Sequence, residues 1–252
     1  MARQNRPTPI WSSLLCSTSL LFAAPAFAQV EITGDETTPV ETNTAGDGNT
    51  PSDVTITSTG NVILETAGPA VILNSDNALI NEGGIRIQDV DGATGVSLEG
   101  GANRSFTNSG VIQIDENFDQ ADTDDDPFFD TPAASGTGRT GILISGASPF
   151  QGNVTLTETS NIIVEGNESF GIDLSNTPLG AGLDGDLNLG GALSLTGDNG
   201  AAVRTRGDIT GNVISTGAVN VFGEGSAAFD IGADIGGGFS SSGSITNNGF
   251  RL

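Results

Sequence analysis

Apolar residues along this chain fall into pairs separated by a single residue, and the pairs recur from Val54 onward. The first pairs of the phrase are Val62/Leu64, Ile85/Ile87, Ile112/Ile114, Ile162/Val164, Leu193/Leu195 and Val219/Val221, and Ile245 begins a seventh. Their first members lie 23, 27, 50, 31, 26 and 26 positions apart. A second pair follows in each: Val71/Leu73, Val96/Leu98, Ile142/Ile144, Ile172/Leu174, Val203/Thr205 and Phe229/Ile231. In five of these six repeats it stands 9 to 11 residues behind the first. The exception starts at Ile112, where an insertion over 115–139 separates the two pairs and accounts for the spacing of 50. A third, weaker pair precedes the first, as in Val154/Leu156 and Leu187/Leu189.

Alternation of this kind is the mark of a strand, because successive side chains point to opposite faces. The runs are short and are separated by Gly, Asn, Asp and Ser, which do not support helices. Antiparallel hairpins in a sandwich would also give short strands, but they would not repeat one phrase in one order. A solenoid does, because equivalent strands then stack in parallel and in register. The pattern therefore predicts an all-β chain, a right-handed parallel β-helix of about seven coils with three short strands and three turns in each. The sandwich is the alternative.

The ends of the chain divide differently. Arg3 and Arg6 precede a short apolar core, SSLLCSTSLLFAA, and Ala26-Phe27-Ala28 gives a small-residue cleavage site before Gln29. This is the layout of a secretory signal over 1–28, cut between Ala28 and Gln29, and too short for a permanent span. Residues 29–53 carry Thr, Gly, Asp and Pro with little to bury, and are expected to form a flexible leader. The solenoid is expected over 54–252.

Composition removes much of chemistry. The chain has no His, and its single Cys, Met and Trp all lie within 1–28. A disulfide framework, thiolate metal sites and histidine-based acid–base or nucleophilic catalysis are thereby excluded from the exported part. Arg3 and Arg6 leave with the signal, so six arginines face 31 acids and the formal charge becomes −25. Such a surface repels phosphate backbones, and no nucleic-acid partner is expected.

The phrases SNIIVEGNESFGIDL (160–174) and GNVISTGAVNVFGEGSAAFDI (211–231) resemble the passenger regions of bacterial autotransporters, and the likeness extends over most of Val54 to Leu252. The resemblance implies a right-handed β-helix displayed at the cell surface, joined in the full-length protein to a C-terminal outer-membrane barrel. No barrel is seen in this sequence, whose exported part lacks the Tyr and Trp of aromatic girdles. The chain is accordingly expected to be an N-terminal fragment of a passenger, exported through the periplasm to the outer membrane, cell surface or medium. It is expected to be a monomer, with an unknown surface or host ligand as its partner.

Three patterns are candidates for sites. Asp122, Asp124 and Asp126 have the alternate spacing of calcium loops, and hard cations need several oxygens. Pro127 stands where such a loop needs glycine, and no Glu follows at the required distance, so a solvated acidic loop is the first reading and calcium the alternative. No other cofactor is expected. Asp173, Arg204 and Asp230 fall in one outward column of stacked strands, the acids ~9.6 Å apart across two coil spacings. That separation suits inverting glycoside hydrolysis, and an exposed acid–base–acid ladder is the plainer account. Arg206-Gly207-Asp208 spells an integrin-type tripeptide, which turn chemistry explains as well. The leading expectation is a non-catalytic structural or adhesive stalk. The alternative is a carbohydrate-active enzyme, a polysaccharide lyase or glycoside hydrolase, on the same fold.

Overall fold

The computed structural model describes residues 29–103, 105–118, 121, 131–175 and 181–248. Among these residues every regular element is a strand, and the strands wind into a right-handed parallel β-helix of eight coils. The first coil holds Gln29–Ile32, Asp35–Glu36 and Val40–Glu41, and the second Asp53–Ile56, Asn61–Leu64 and Gly68–Leu73. The third holds Leu79–Asn81, Gly84–Gln88 and Ala93–Glu99, and the fourth Phe106–Asn108, Val111–Asp115 and Thr140–Ser145. In the fifth are Val154–Leu156, Asn161–Glu165 and Phe170–Leu174, and in the sixth Leu187–Leu189, Ala192–Thr196 and Ala201–Thr205. Asn212–Ser215, Val219–Phe222 and Ala227–Ile231 make the seventh, and Gly238–Ser241 and Ile245–Asn248 the eighth. At ~4.8 Å per coil the stack is on the order of 34 Å long.

The aliphatic pairs line the inside. In the second strand of each coil, Val62, Ile85, Ile112, Ile162, Leu193, Val219 and Ile245 stand opposite one another along the stack. The second pairs align likewise, from Val71 through Val96, Ile142, Ile172 and Val203 to Phe229. Most of these side chains have no exposed surface at all. Each fully buried Leu, Ile or Val contributes about 1.5–3 kcal/mol, and only stacking buries it, since a lone coil leaves its inner face open above and below.

One interior column changes character midway. Between Ile56 and Leu156 stand Asn81 and Asn108, both fully buried. Asn81 Nδ2 donates to Asn108 Oδ1 at 2.7 Å, Asn81 Oδ1 accepts from the Gly83 amide at 3.2 Å, and Asn108 Nδ2 donates to the Gly110 carbonyl at 3.3 Å. A half-satisfied pair of amides here would be costly, so the contact ties the third coil to the fourth in one register.

Two expectations are corrected. Residues 29–53 do not form a flexible leader: Val30 and Ile32 pair with Val54 and Ile56, and Val40 pairs with Val71, making a further coil. This raises the count from about seven to eight. The coil escapes the aliphatic pattern because Glu36, exposed, stands in the column of Val62, and Thr42, fully buried, lies one position past the last strand. Second, the stack has a fourth face. Phe150–Gln151, Gly182–Asp184 and Asp208–Ile209 form a small parallel sheet, extended by a bridge from Ile209 to Ile235. Phe150, Leu183 and Ile209 are buried along it, so the cross-section gains a side from the fourth coil onward.

Candidate functional site

The outward column expected on the third face exists. Asp173, Arg204 and Asp230 are register partners on successive coils. It is not the exposed ladder that the sequence suggested, because Asp173 is only 5% exposed. Arg204 meets it with both arms of the guanidinium, Nε to Oδ1 and Nη2 to Oδ2, each at 2.8 Å. The same guanidinium lies over Phe170, its central carbon 3.5 Å from the ring centroid. Asp230 does not complete the ladder; its carboxylate binds Arg206 instead, and this contact holds the Arg206 guanidinium still more firmly in its charged form. The two acids are thus each occupied by a different arginine. Arg204→Ala would leave Asp173 buried without its forked partner, at a cost of about 1.5–3 kcal/mol, more than an exposed pair contributes. Urea unfolding of Arg204→Ala, Asp173→Asn and the double variant measures this, and additivity of the two single effects would sink it.

A second cluster, which the sequence did not disclose, sits where the insertion leaves and rejoins the fourth coil. Arg139 is 2% exposed. Its Nη1 donates to Glu116 Oε2 at 2.9 Å and to the Glu165 carbonyl at 2.6 Å, and its Nε donates to the Val90 carbonyl at 3.0 Å. Asp91 approaches Nη2 at 3.6 Å. Glu116 also accepts from the Ser135 amide at 2.6 Å, the Ser135 hydroxyl at 3.1 Å and the Gly136 amide at 2.7 Å. Burial alone would push the Glu116 carboxyl up, but the Ser135 and Gly136 amides and the Arg139 guanidinium outweigh it and hold it below the ordinary value. Burial pushes Glu165 up, and the charges of Asp115 and Glu116 add to that shift against the amide of Glu116 and the Arg139 charge. The two glutamates are therefore displaced in opposite directions by one neighbourhood.

Elsewhere the acids stitch turns together. Asn153 Oδ1 accepts from the Asp186 amide at 2.9 Å, and Asp186 Oδ1 from the Asn212 amide at 2.7 Å on the coil above. Asn167 Oδ1 takes the Asp198 amide at 2.8 Å, and Asp198 Oδ1 takes the Glu224 amide at 2.7 Å. A short side chain with an acceptor satisfies the free amide of the next turn, which is the chemistry that places Asp and Asn in turns generally. Asp186 and Asp198 thus owe their positions to stacking.

The tripeptide 206–208 is likewise engaged. Arg206 is bound to Asp230, Asp208 Oδ1 accepts from the Asp234 amide at 3.2 Å, and a Cβ on Gly207 would lie 2.4 Å from the Ala181 carbonyl oxygen. The candidate calcium ligands Asp122, Asp124 and Asp126, and Ala28 at the cleavage site, lie outside the described residues. Gln29 opens the first strand. Among the described residues no group of three or more His, Cys, Asp or Glu side chains is arranged to hold a metal ion.

In comparisons with known proteins, no family model, no curated protein and no solved structure matches the chain. The class of the protein rests on its fold, a parallel β-solenoid of the kind typical of autotransporter passengers and also compatible with β-helix enzymes.

Proposed function

We propose that the chain is an exported, non-catalytic surface stalk of the autotransporter-passenger type, acting by spacing and contact at the cell surface or outer membrane. One observation carries this reading: among the described residues, all four arginines are committed to partners on neighbouring coils. Arg86 binds Gln113, Arg139 binds the Val90 and Glu165 carbonyls, Arg204 binds Asp173 and Arg206 binds Asp230. The groups a polysaccharide-cleaving site would draw on are used to hold coil to coil. A repetitive, internally satisfied surface suits a spacer better than a catalyst, and the absence of Tyr and exported Trp removes the usual platforms for sugar rings. The rival reading draws on Glu165, whose carboxyl burial pushes above its ordinary value, as hydrolases do with a general acid.

The exported chain, purified and coupled to beads, is expected to raise bead retention on cell or matrix surfaces over uncoupled beads. Incubated with a panel of acidic and neutral polysaccharides, it is expected to release no reducing ends and no unsaturated uronate. Turnover that disappears in Glu165→Gln or Arg204→Ala would overturn the stalk in favour of the enzyme.

A further inference from the structure

The insertion at 115–139 is fastened to the stack at its two roots, and the fastening is lopsided in charge. One guanidinium, Arg139, meets Asp91 and Glu116, and Glu165 feels its charge together with those of Asp115 and Glu116; these acids come from the third, fourth and fifth coils and the insertion itself. Asp115 lies on the strand beside Glu165 and accepts from Gln113 Nε2, while Gln113 Oε1 accepts from Arg86. Asp89 is turned to Asn117, binding its amide at 2.7 Å and its Nδ2 at 3.0 Å. Glu168, on the turn after Glu165, is exposed. Three carboxylates lie on or beside this one cation and a fourth, Asp115, beside Glu165, so the acids outnumber the cation in a half-buried corner.

The donors are distributed unevenly among these acids. Glu116 receives four hydrogen bonds, from Ser135 twice, Gly136 and Arg139, and these join the two roots of the insertion. Among the described residues the Glu165 carboxylate receives one, from the Glu116 amide at 3.3 Å. Charge on Glu116 therefore closes the corner. Charge on Glu165 repels Asp115 and Glu116 with little donor compensation. Asp91 adds a hydrogen bond from the Thr137 amide at 2.9 Å, and Asn167 holds the same root through the Ala134 carbonyl at 2.8 Å.

We propose that this corner is a proton-operated fastener for the insertion: protonation of Glu165 tightens it, and protonation of Glu116 releases it, while the coils on either side stay stacked. The signs follow from linkage. Glu165 titrates above its ordinary value when the corner is closed, so its contribution is complete at lower pH and is lost as pH rises through that raised value. Glu116 titrates below its ordinary value, so its contribution is complete at higher pH and is lost as pH falls through that lowered value. Fastening is strongest between the two, in mild acid, and weakens on both sides. Each limb is governed by one proton and has a slope of at most about tenfold in the closing equilibrium per unit of pH.

Amide hydrogen exchange on the full chain between pH 3 and 8, corrected for intrinsic rates, tests this. Protection of the Ser135 and Gly136 amides is expected to pass through a maximum in mild acid, with the far-UV circular dichroism constant throughout. Glu165→Gln is expected to abolish the alkaline limb and hold protection near its maximum up to pH 8. Glu116→Gln is expected to lower protection of both amides at every pH and to remove the acid limb. Protection that is flat across the range in the parent, or an alkaline limb that persists in Glu165→Gln, would overturn the proposal. So would parallel changes at Ser135 and at core amides such as Ile162, because the device would then be global unfolding.

Discussion

Arg139→Met is expected to lower the free energy of unfolding by about 3–5 kcal/mol, the effect of removing one partner from a buried ion pair. Methionine approximates the length of the side chain but supplies no donor. The Glu116 carboxylate would keep the Ser135 and Gly136 amides and lose its only contact with a cation among the described residues, while the Val90 and Glu165 carbonyls lose their shared donor. Arg139→Lys restores a charge but not a planar fork that can reach three groups at once, and should fall between methionine and arginine. Urea unfolding followed by circular dichroism measures all three. A loss of less than about 1 kcal/mol in Arg139→Met would place this contact in the range of exposed pairs and contradict the buried geometry.

The second large effect is expected at a corner where three glycines lie one above another. Gly166, Gly197 and Gly223 have φ of 154°, 149° and 142°, and a Cβ on Gly197 would stand 1.9 Å from the carbonyl oxygen of Gly166. Backbone cannot yield there without moving the coil below. Gly197→Ala therefore combines a strained dihedral, about 1–3 kcal/mol, with an overpacked contact of about 1–3 kcal/mol. The control is Gly34→Ala, where a Cβ meets nothing within 4 Å. Equal stabilities of the two variants would show that the corner relaxes freely.

The fold was legible where the inner face is aliphatic. A pair such as Ile162/Val164 states both its strand and its inward face, and the common period states that the strands stack in parallel. Legibility stopped where one of those signals was missing. The first coil has Glu36 and Thr42 at core-column positions and reads as polar linker. The fourth face is built from strands of two or three residues, too short to alternate, and only the shared spacing of Phe150, Leu183, Ile209 and Ile235, at 33, 26 and 26 residues, gives it away.

The charged clusters divide in the same manner. Asp173 and Arg204 could be placed together because both lie at the centre of recognised strands, whose register carries one above the other. Their burial could not, since it depends on the packing outside the sheet. Glu116 and Arg139 occupy insertion positions and Glu165 ends a strand, and Glu165 joins the other two only once the coils are stacked. Arg206 lies just past a strand and reaches across to Asp230, leaving its own column. Periodicity reports side-chain positions inside strands; it says nothing of arginines that span turns.

The fourth face gives the stack a grain. A solenoid behaves as a one-dimensional array in which each unit is held only by its neighbours. Were every coil alike, openings would begin at either end with equal ease. Here the column from Phe150 to Ile235 adds an apolar contact to each junction it crosses and reaches the third coil through Ala102, whose carbonyl accepts from the Gln151 amide, while among the described residues the first two coils have no strand in this sheet. The stack is expected to be graded, softer through its first two coils and stiffer where the fourth face runs, so that strain applied along its axis would be taken up first outside that stretch.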